Sequence, residues 1–234
     1  DLLNMVTMNL KDKLKGIPQI YYVNLDERID RKNYMEGQFK KWGIEKYTRI
    51  SASKFLVSEK HLWKDLVIGD ISNSYSYAVA HALTHFDFFK EWLKETNDPY
   101  LILMEDDLMC NENLPELISK YIEECPKDFH CLYIFIPEDQ HHKYSNQNLI
   151  SENISIAYQD WSCACYVIQK NTIKDLINVA NEGFSLPLDW FTMRQKDIFK
   201  VYSLKPEVDF GCKTVNLPST FQISQERKII NGVF

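Results

Sequence analysis

Glycine and proline are scarce, 7 and 8 in 234 residues, and neither gathers into a tract. That composition excludes a collagen-like repeat, a flexible linker or a low-complexity tail as the main character of the chain. A GxGxxG turn after a strand, a GxxxxGK[ST] loop and a GxSxG elbow are also missing. Nicotinamide, P-loop and serine-hydrolase chemistries thereby lose most of their support. The longer apolar stretches, such as Tyr100 to Met104 and Leu132 to Ile136, fall far short of the roughly 18 residues a bilayer-spanning helix needs. Positive charge is not in excess, since 27 Lys and Arg against 33 Asp and Glu leave a formal charge of −6. A nucleic-acid partner is not expected on that balance.

The amino terminus has no continuous apolar region of the secretory kind and begins with Asp1. Residues 1–16 are therefore expected to be an extension or a trimmed start, residues 17–234 one domain, and the cytoplasm, with at most peripheral membrane contact, the address. Six cysteines are present without a CxxC, and only Cys163 and Cys165 lie close together. Free, mostly buried thiols are expected, because a chain of this size folds without disulfide staples.

What the chain does have is a core: 45% of it is apolar and 13% aromatic. Ile20 to Leu25 predicts a buried strand, followed by a helix on which Met35, Phe39 and Trp42 recur at spacings of four and three. Tyr47 to Ser51 predicts a strand and Ser58 to Leu66 a short helix. Val79, Leu83, Phe86, Phe89 and Leu93 mark a long amphipathic helix from Ser76 to Lys94 that stops before Asn97-Asp98-Pro99. Strands are expected at Tyr100 to Met104, Cys131 to Ile136, Ile154 to Gln159, Ala164 to Ile168 and Phe199 to Leu204. Helices are expected at Leu114 to Ile122, Thr172 to Ala180 and near Asp189. This alternation predicts an α/β fold, a mostly parallel twisted sheet with helices on both faces, and such sheets bind ligands beyond the carboxyl ends of their strands.

The segment YLILMEDDL carries the strongest chemical signal, because an apolar strand runs straight into Glu105, Asp106 and Asp107. Three adjacent carboxylates at a strand end repel one another unless a cation or a cluster of donors sits among them. Mn²⁺ or Mg²⁺, which takes one or two carboxylates together with phosphate oxygens, is a natural remedy. A solvated acidic turn, with Asp107 or Asn111 capping the next helix, is the plainer reading. In NLDERIDR, Asn24 and Asp26 follow a strand while Arg28 and Arg31 flank the next helix start. The two arginines suit a phosphate or carboxylate, or equally surface pairs with Glu27, Asp30 or Glu36. His81 and His85 share one helix face at a spacing compatible with zinc, but no third ligand is indicated. They suit packed core histidines, or a His85 that donates to a ligand's phosphate or sugar hydroxyl. In LPLDWF, Asp189 is either a helix cap or a general base, and Trp190 either a packing anchor or a platform for a sugar ring.

Taken in order, these segments resemble glycosyltransferase family 25, over roughly residues 17 to 225. Asn24-Leu25-Asp26-Glu27-Arg28 with Arg31 is similar to the family's opening motif, and Ala82-Leu83-Thr84-His85 to its ALSH. Leu101 to Asp107 resembles its LEDD segment and Pro187-Leu188-Asp189-Trp190-Phe191 its PVDWF. Ala80, His81 and Ser162-Cys163 depart from the usual Gly, Cys and Gly-Thr. The resemblance extends to domains in some large DNA viruses, an origin that richness in Lys, Asn and Ile would suit.

The resemblance implies a single GT-A type nucleotide-sugar domain and an inverting, metal-assisted transfer from a nucleotide diphosphate sugar, expected to be a UDP-sugar. The acceptor would be a glycan, lipid-linked or protein-linked hydroxyl. Asp107 would hold Mn²⁺ or Mg²⁺ with help from Glu105. Asn24, Asp26, Arg28, Arg31, His85, Glu105 and Asp106 would serve the donor, Asp189 would be the base, and Trp190 would meet the acceptor. A non-catalytic nucleotide-sugar or carbohydrate binding module of the same fold is the alternative.

Overall fold

The computed structural model describes residues 19–66, 76–109, 114–136, 149–157, 163–181, 198–205 and 213–214. Within them the strands are β1 (Ile20–Asn24), β2 (Tyr47–Ser51), β3 (Tyr100–Glu105), β4 (Leu108–Met109), β5 (Cys131–Tyr133), β6 (Ile154–Ile156), β7 (Cys165–Gln169), β8 (Val201–Leu204) and β9 (Lys213–Thr214). The helices are α1 (Ile29–Lys41), α2 (Lys60–Trp63), α3 (Ser76–Glu95), α4 (Leu114–Glu124) and α5 (Lys170–Asn181). Short 3-10 turns flank α2, so the single helix expected over 58–66 is a broken one. The helix expected near Asp189 lies outside the described residues.

Seven strands form one sheet in the order β2-β1-β3-β7-β5-β8-β6, while β4 and β9 form a separate pair that the periodicity does not predict. β1 runs parallel to both β2 and β3, and β5 parallel to β8. β7 is antiparallel to β3 and β5, and β6 is antiparallel to β8. Five strands thus share one direction, which makes the sheet mostly parallel, with a reversed strand at its centre. An apolar run buried on both sides carries no mark of its direction, so the sequence pattern does not show that reversal.

The period-two alternation of each strand divides the core between two faces. Leu101 and Leu103 of β3 pack with Val79, Leu83, Phe86, Phe89 and Trp92 of α3 and with Ile173 and Leu176 of α5. Ile102 and Met104 point the other way, toward Met35 and Phe39 of α1 and Ile118 and Tyr121 of α4. Helices therefore cover both faces, as expected. None of the described helices is long and apolar enough to cross a membrane. Cys125, Cys131, Cys163 and Cys165 are buried thiols outside any disulfide, whereas Cys110 and Cys212 lie outside the described residues.

α1 ends where Gly43 takes a φ of 68°, a left-handed conformation that suits glycine. The Gly43 amide then donates to the Lys40 carbonyl and the Ile44 amide to that of Phe39, which closes the helix and turns the chain toward β2. As a result β1, β2 and β3 end side by side, with Asn24 opposite Ser51 and Val23 opposite Glu105. Cys165, at the amino end of reversed β7, pairs with Met104 at the same edge.

Candidate functional site

At that edge the three carboxylates meet different surroundings. Asp106 is 8% exposed, and both of its oxygens are occupied. Arg31 donates from Nη1 to Oδ1 at 2.8 Å, and Asn24 donates from Nδ2 to Oδ2 at 2.7 Å. The same Arg31 Nη1 lies 3.1 Å from Asp107 Oδ2, so one buried guanidinium bridges two neighbouring acids. Arg31 is presented from the first turn of α1, and Asn24 from the last residue of β1.

Glu105 meets the opposite face. His81 Nε2, on α3, lies 3.0 Å from Glu105 Oε1. Burial pushes the Glu105 carboxyl up, but the His81 imidazole and Arg31 more than offset this and hold it below its ordinary value. Asp107 has the weakest support. Burial, then the Glu105 and Asp106 charges, push its carboxyl up to about 6 against the pull of Arg31. Its Oδ1 is buried with no hydrogen-bond partner among the described residues. A side-chain amide on α1 fixes the chain just beyond, because Gln38 Nε2 donates to the Leu108 carbonyl at 2.9 Å.

The two arginines of NLDERIDR have separate fates. Arg28 holds Asp30 in bidentate fashion, with Nε 2.9 Å from Oδ1 and Nη2 2.7 Å from Oδ2. That pairing, one of the two options open in the sequence, draws the Asp30 carboxyl down to about 2. Arg31 turns inward to the acidic cluster instead. Asp26 is at the exposed rim, where it pairs with Arg49 and accepts from Ser51 Oγ at 3.0 Å.

His85 lies in the protein interior at 1% exposure, its Nδ1 2.9 Å from the His81 carbonyl and its ring stacked on Tyr166. Burial, followed by the neighbouring His81, lowers its pKa well below the ordinary value. His81, rather than His85, therefore carries the contact with the acidic cluster. Asp189 and Trp190 lie outside the described residues. So do Asn111 and the Ser162 departure.

The structure brings Asn24, Arg31, Glu105, Asp106 and Asp107 together, with Asp26 and Arg28 on the adjoining turn. It adds Arg49 of β2, whose Nε donates to Asn24 Oδ1 at 2.8 Å, and Ser51. A sequence signal for Arg49 exists only in retrospect. A cation two residues before the end of a strand points the same way as Ser51, toward whatever the adjacent strand end presents. Among the described residues no group of three or more His, Cys, Asp and Glu is placed to hold a metal ion.

Several solved structures resemble the chain at low identity. Mouse xyloside xylosyltransferase 1 is 10% identical with a TM-score of 0.41, covering 77% of this chain and 69% of that one. The inositol-1-phosphate CTP transferase from T. maritima is 13% identical at a TM-score of 0.43, covering 92% and 95%. A putative glucose-1-phosphate thymidylyltransferase from Bacillus anthracis is 9% identical at 0.40, covering 97% and 81%. These likenesses are too distant to bear on chemistry. No curated protein matches the sequence. The model of glycosyltransferase family 25, described as LPS biosynthesis protein, matches residues 17–192 and spans the β1 end, the acidic end of β3 and the Asp189 segment. With well over half of its length inside that match, the chain belongs to glycosyltransferase family 25.

Proposed function

We propose that this glycosyltransferase moves a sugar from a nucleotide diphosphate donor, a UDP-sugar first among the candidates, to a hydroxyl of a glycan or glycoconjugate, with metal assistance and inversion. The observation that carries the reading is Asp107, whose buried Oδ1 lacks a partner among the described residues and whose carboxyl is pushed up to about 6. An acid left short of donors at a strand end suits a hard divalent cation. Asp107, with Glu105 beside it, would hold Mn²⁺ or Mg²⁺. Two protein carboxylates suit an ion that completes its shell with the donor's phosphates and water. Bound there, the ion would neutralise charge on the departing diphosphate.

The protein's own residues divide the remaining tasks. Arg31 and Asn24 saturate Asp106, so that carboxylate orients the turn rather than binding a ligand of its own. His81 keeps Glu105 ionised next to Asp107. Arg28 and Asp26 lie on the turn after β1, where a phosphate or the nucleoside would approach. Asp189 would take the acceptor hydroxyl's proton as the sugar carbon is attacked in line, and Trp190 would stack on the acceptor. Asp189→Asn should then bind donor normally and lose turnover. Retained turnover would move the base role to Asp160 or Glu138.

The first experiment is a thermal-shift panel of UDP-, GDP- and TDP-sugars, each with Mn²⁺ and with chelator. A ligand that binds the native state raises its stability by linkage. A Mn²⁺-dependent shift with one nucleotide supports the reading and names the donor. The absence of a shift with every donor, in folded protein, overturns it.

A further inference from the structure

Arg49 lies outside the four segments on which the sequence resemblance rests, yet it ties two parts of the site together. Its Nε donates to Asn24 Oδ1 at 2.8 Å, its Nη2 reaches the Asn24 carbonyl at 3.5 Å, and the same Nη2 pairs with Asp26. Asn24 is 2% exposed and has its opposite edge committed, since Nδ2 donates to Asp106 Oδ2 and to the Arg28 carbonyl at 3.1 Å. The Asn24 amide thus lies between the Arg49 guanidinium and the Asp106 carboxylate. A cation on its oxygen polarises the amide and strengthens its donation to the acid, as in any hydrogen-bond chain in a low-dielectric setting.

The turn from Leu25 to Arg28 is held from the same side. Ser51 Oγ donates to Asp26 Oδ2 at 3.0 Å, Ser53 Oγ accepts from the Asp26 amide at 3.0 Å, and the Arg28 amide closes on the Leu25 carbonyl at 2.9 Å. The end of β2 therefore grips the turn at Asp26 and the strand end at Asn24, and Arg49 alone among these contacts reaches both. A planar fork of donors holds the two acceptors from fixed, separate nitrogens, whereas a lysine ammonium is a point charge on a flexible stem.

We infer that Arg49 is the positioning residue that locks the turn after β1 against the acidic end of β3, acting through Asn24 on Asp106 and through Asp26 on the turn. Its effect on ligand binding rests on the nucleotide-sugar reading; its mechanical role rests on the hydrogen bonds alone. The test separates the two by comparing the wild-type chain with Arg49→Met, Arg49→Lys and a control, Lys54→Met, which removes an exposed pair with Asp87.

Hydrogen exchange is read first, without ligand. In Arg49→Met, exchange across residues 24–31 should quicken about tenfold, the low end for loss of a charge-assisted hydrogen bond, while β5 and β8 keep wild-type rates. Arg49→Lys should fall between the two, and Lys54→Met should match wild type. Wild-type exchange at 24–31 in Arg49→Met, or an even acceleration throughout the sheet, would overturn the assignment. UDP with Mn²⁺ is then titrated calorimetrically, and Arg49→Met should weaken its binding by about tenfold with Lys partly restoring it. Equal affinity in wild type and Arg49→Met would remove the consequence for the site. Absence of UDP binding by wild type would defeat the nucleotide reading, while the exchange result would still decide the role of Arg49.

Discussion

Asp107→Asn should make the metal-free protein more stable while disabling it. Burial and the neighbouring acids raise this carboxyl from 3.8 to about 6. At about 1.4 kcal/mol per pH unit, a rise of roughly two units means that ionised Asp107 opposes folding by about 3 kcal/mol. A group with a raised folded pKa contributes stability below its unfolded value and loses it as pH climbs through the folded one. The penalty therefore grows between about pH 4 and pH 6 and is complete at neutral pH. Asparagine keeps the shape and an acceptor for Arg31 but has no charge to desolvate. In chelator at about pH 7.5, the variant should gain up to about 3 kcal/mol, equivalent to several degrees in Tm for a chain of this size. At about pH 4 the gain should disappear. Urea titrations at both pH values, compared at constant m, measure it directly. Metal-dependent donor binding should be lost in the same protein. A variant no more stable than wild type at the higher pH, or stabilised equally at the lower one, would refute the reasoning.

Arg31→Met strips a cation from buried Asp106 and half-buried Asp107, and should cost about 3 to 5 kcal/mol at neutral pH and less at about pH 5, below the raised value of about 6 at Asp107; a pH-independent loss under about 1 kcal/mol in the urea midpoint would contradict it. His85, with its pKa lowered by burial and then by His81, favours the fold above its unfolded value near 6.5 and loses that contribution as pH falls, by up to about 1.4 kcal/mol per unit. His85→Gln should therefore flatten the stability profile between about pH 6.5 and 5, and an unchanged slope would count against the assignment. Glu124 accepts from Ser151 Oγ at 2.6 Å and from the Asn153 amide at 2.9 Å. Glu124→Ala should cost about 1 to 3 kcal/mol and quicken hydrogen exchange at residues 149–157, without touching donor binding.

The sheet, its two helical faces and the acidic strand end are legible because burial leaves a period in the sequence. Met35 and Phe39 mark α1, and Val79, Leu83, Phe86 and Phe89 mark α3, each at helical spacing. The reversal of β7 is not legible, since Cys165 to Ile168 is buried on both faces and reads the same in either direction. Partner choice is also hidden. Arg28 and Arg31 stand three apart with the same charge, yet one pairs with Asp30 beside it and the other with Asp106, 75 positions away. Local sequence offers the near partner to both. Only the parallel pairing of β1 with β3 brings the distant acid within reach of Arg31. Arg49 escapes notice for the same reason, because its partner Asn24 is supplied by register between strands.

The acidic end of β3 shows how one strand can supply three carboxylates for different purposes. Each acid is distinguished by what the rest of the fold gives it. Asp106 receives a donor on both oxygens and is buried as a fixed part of the frame. Glu105 receives an imidazole and is kept ionised. Asp107 shares with Asp106 a single nitrogen of Arg31, Nη1, and at the longer distance, 3.1 Å against 2.8 Å. Those donors come from β1, α1 and α3, so the balance depends on the packing of the whole site rather than on the EDD sequence. A fourth donor supplied by the protein to Asp107 would stabilise the fold, but it would also compete with any cation for the same oxygen. The shortage at Asp107 thus identifies the oxygen at which the proposed metal site and a plain acidic turn give opposite answers.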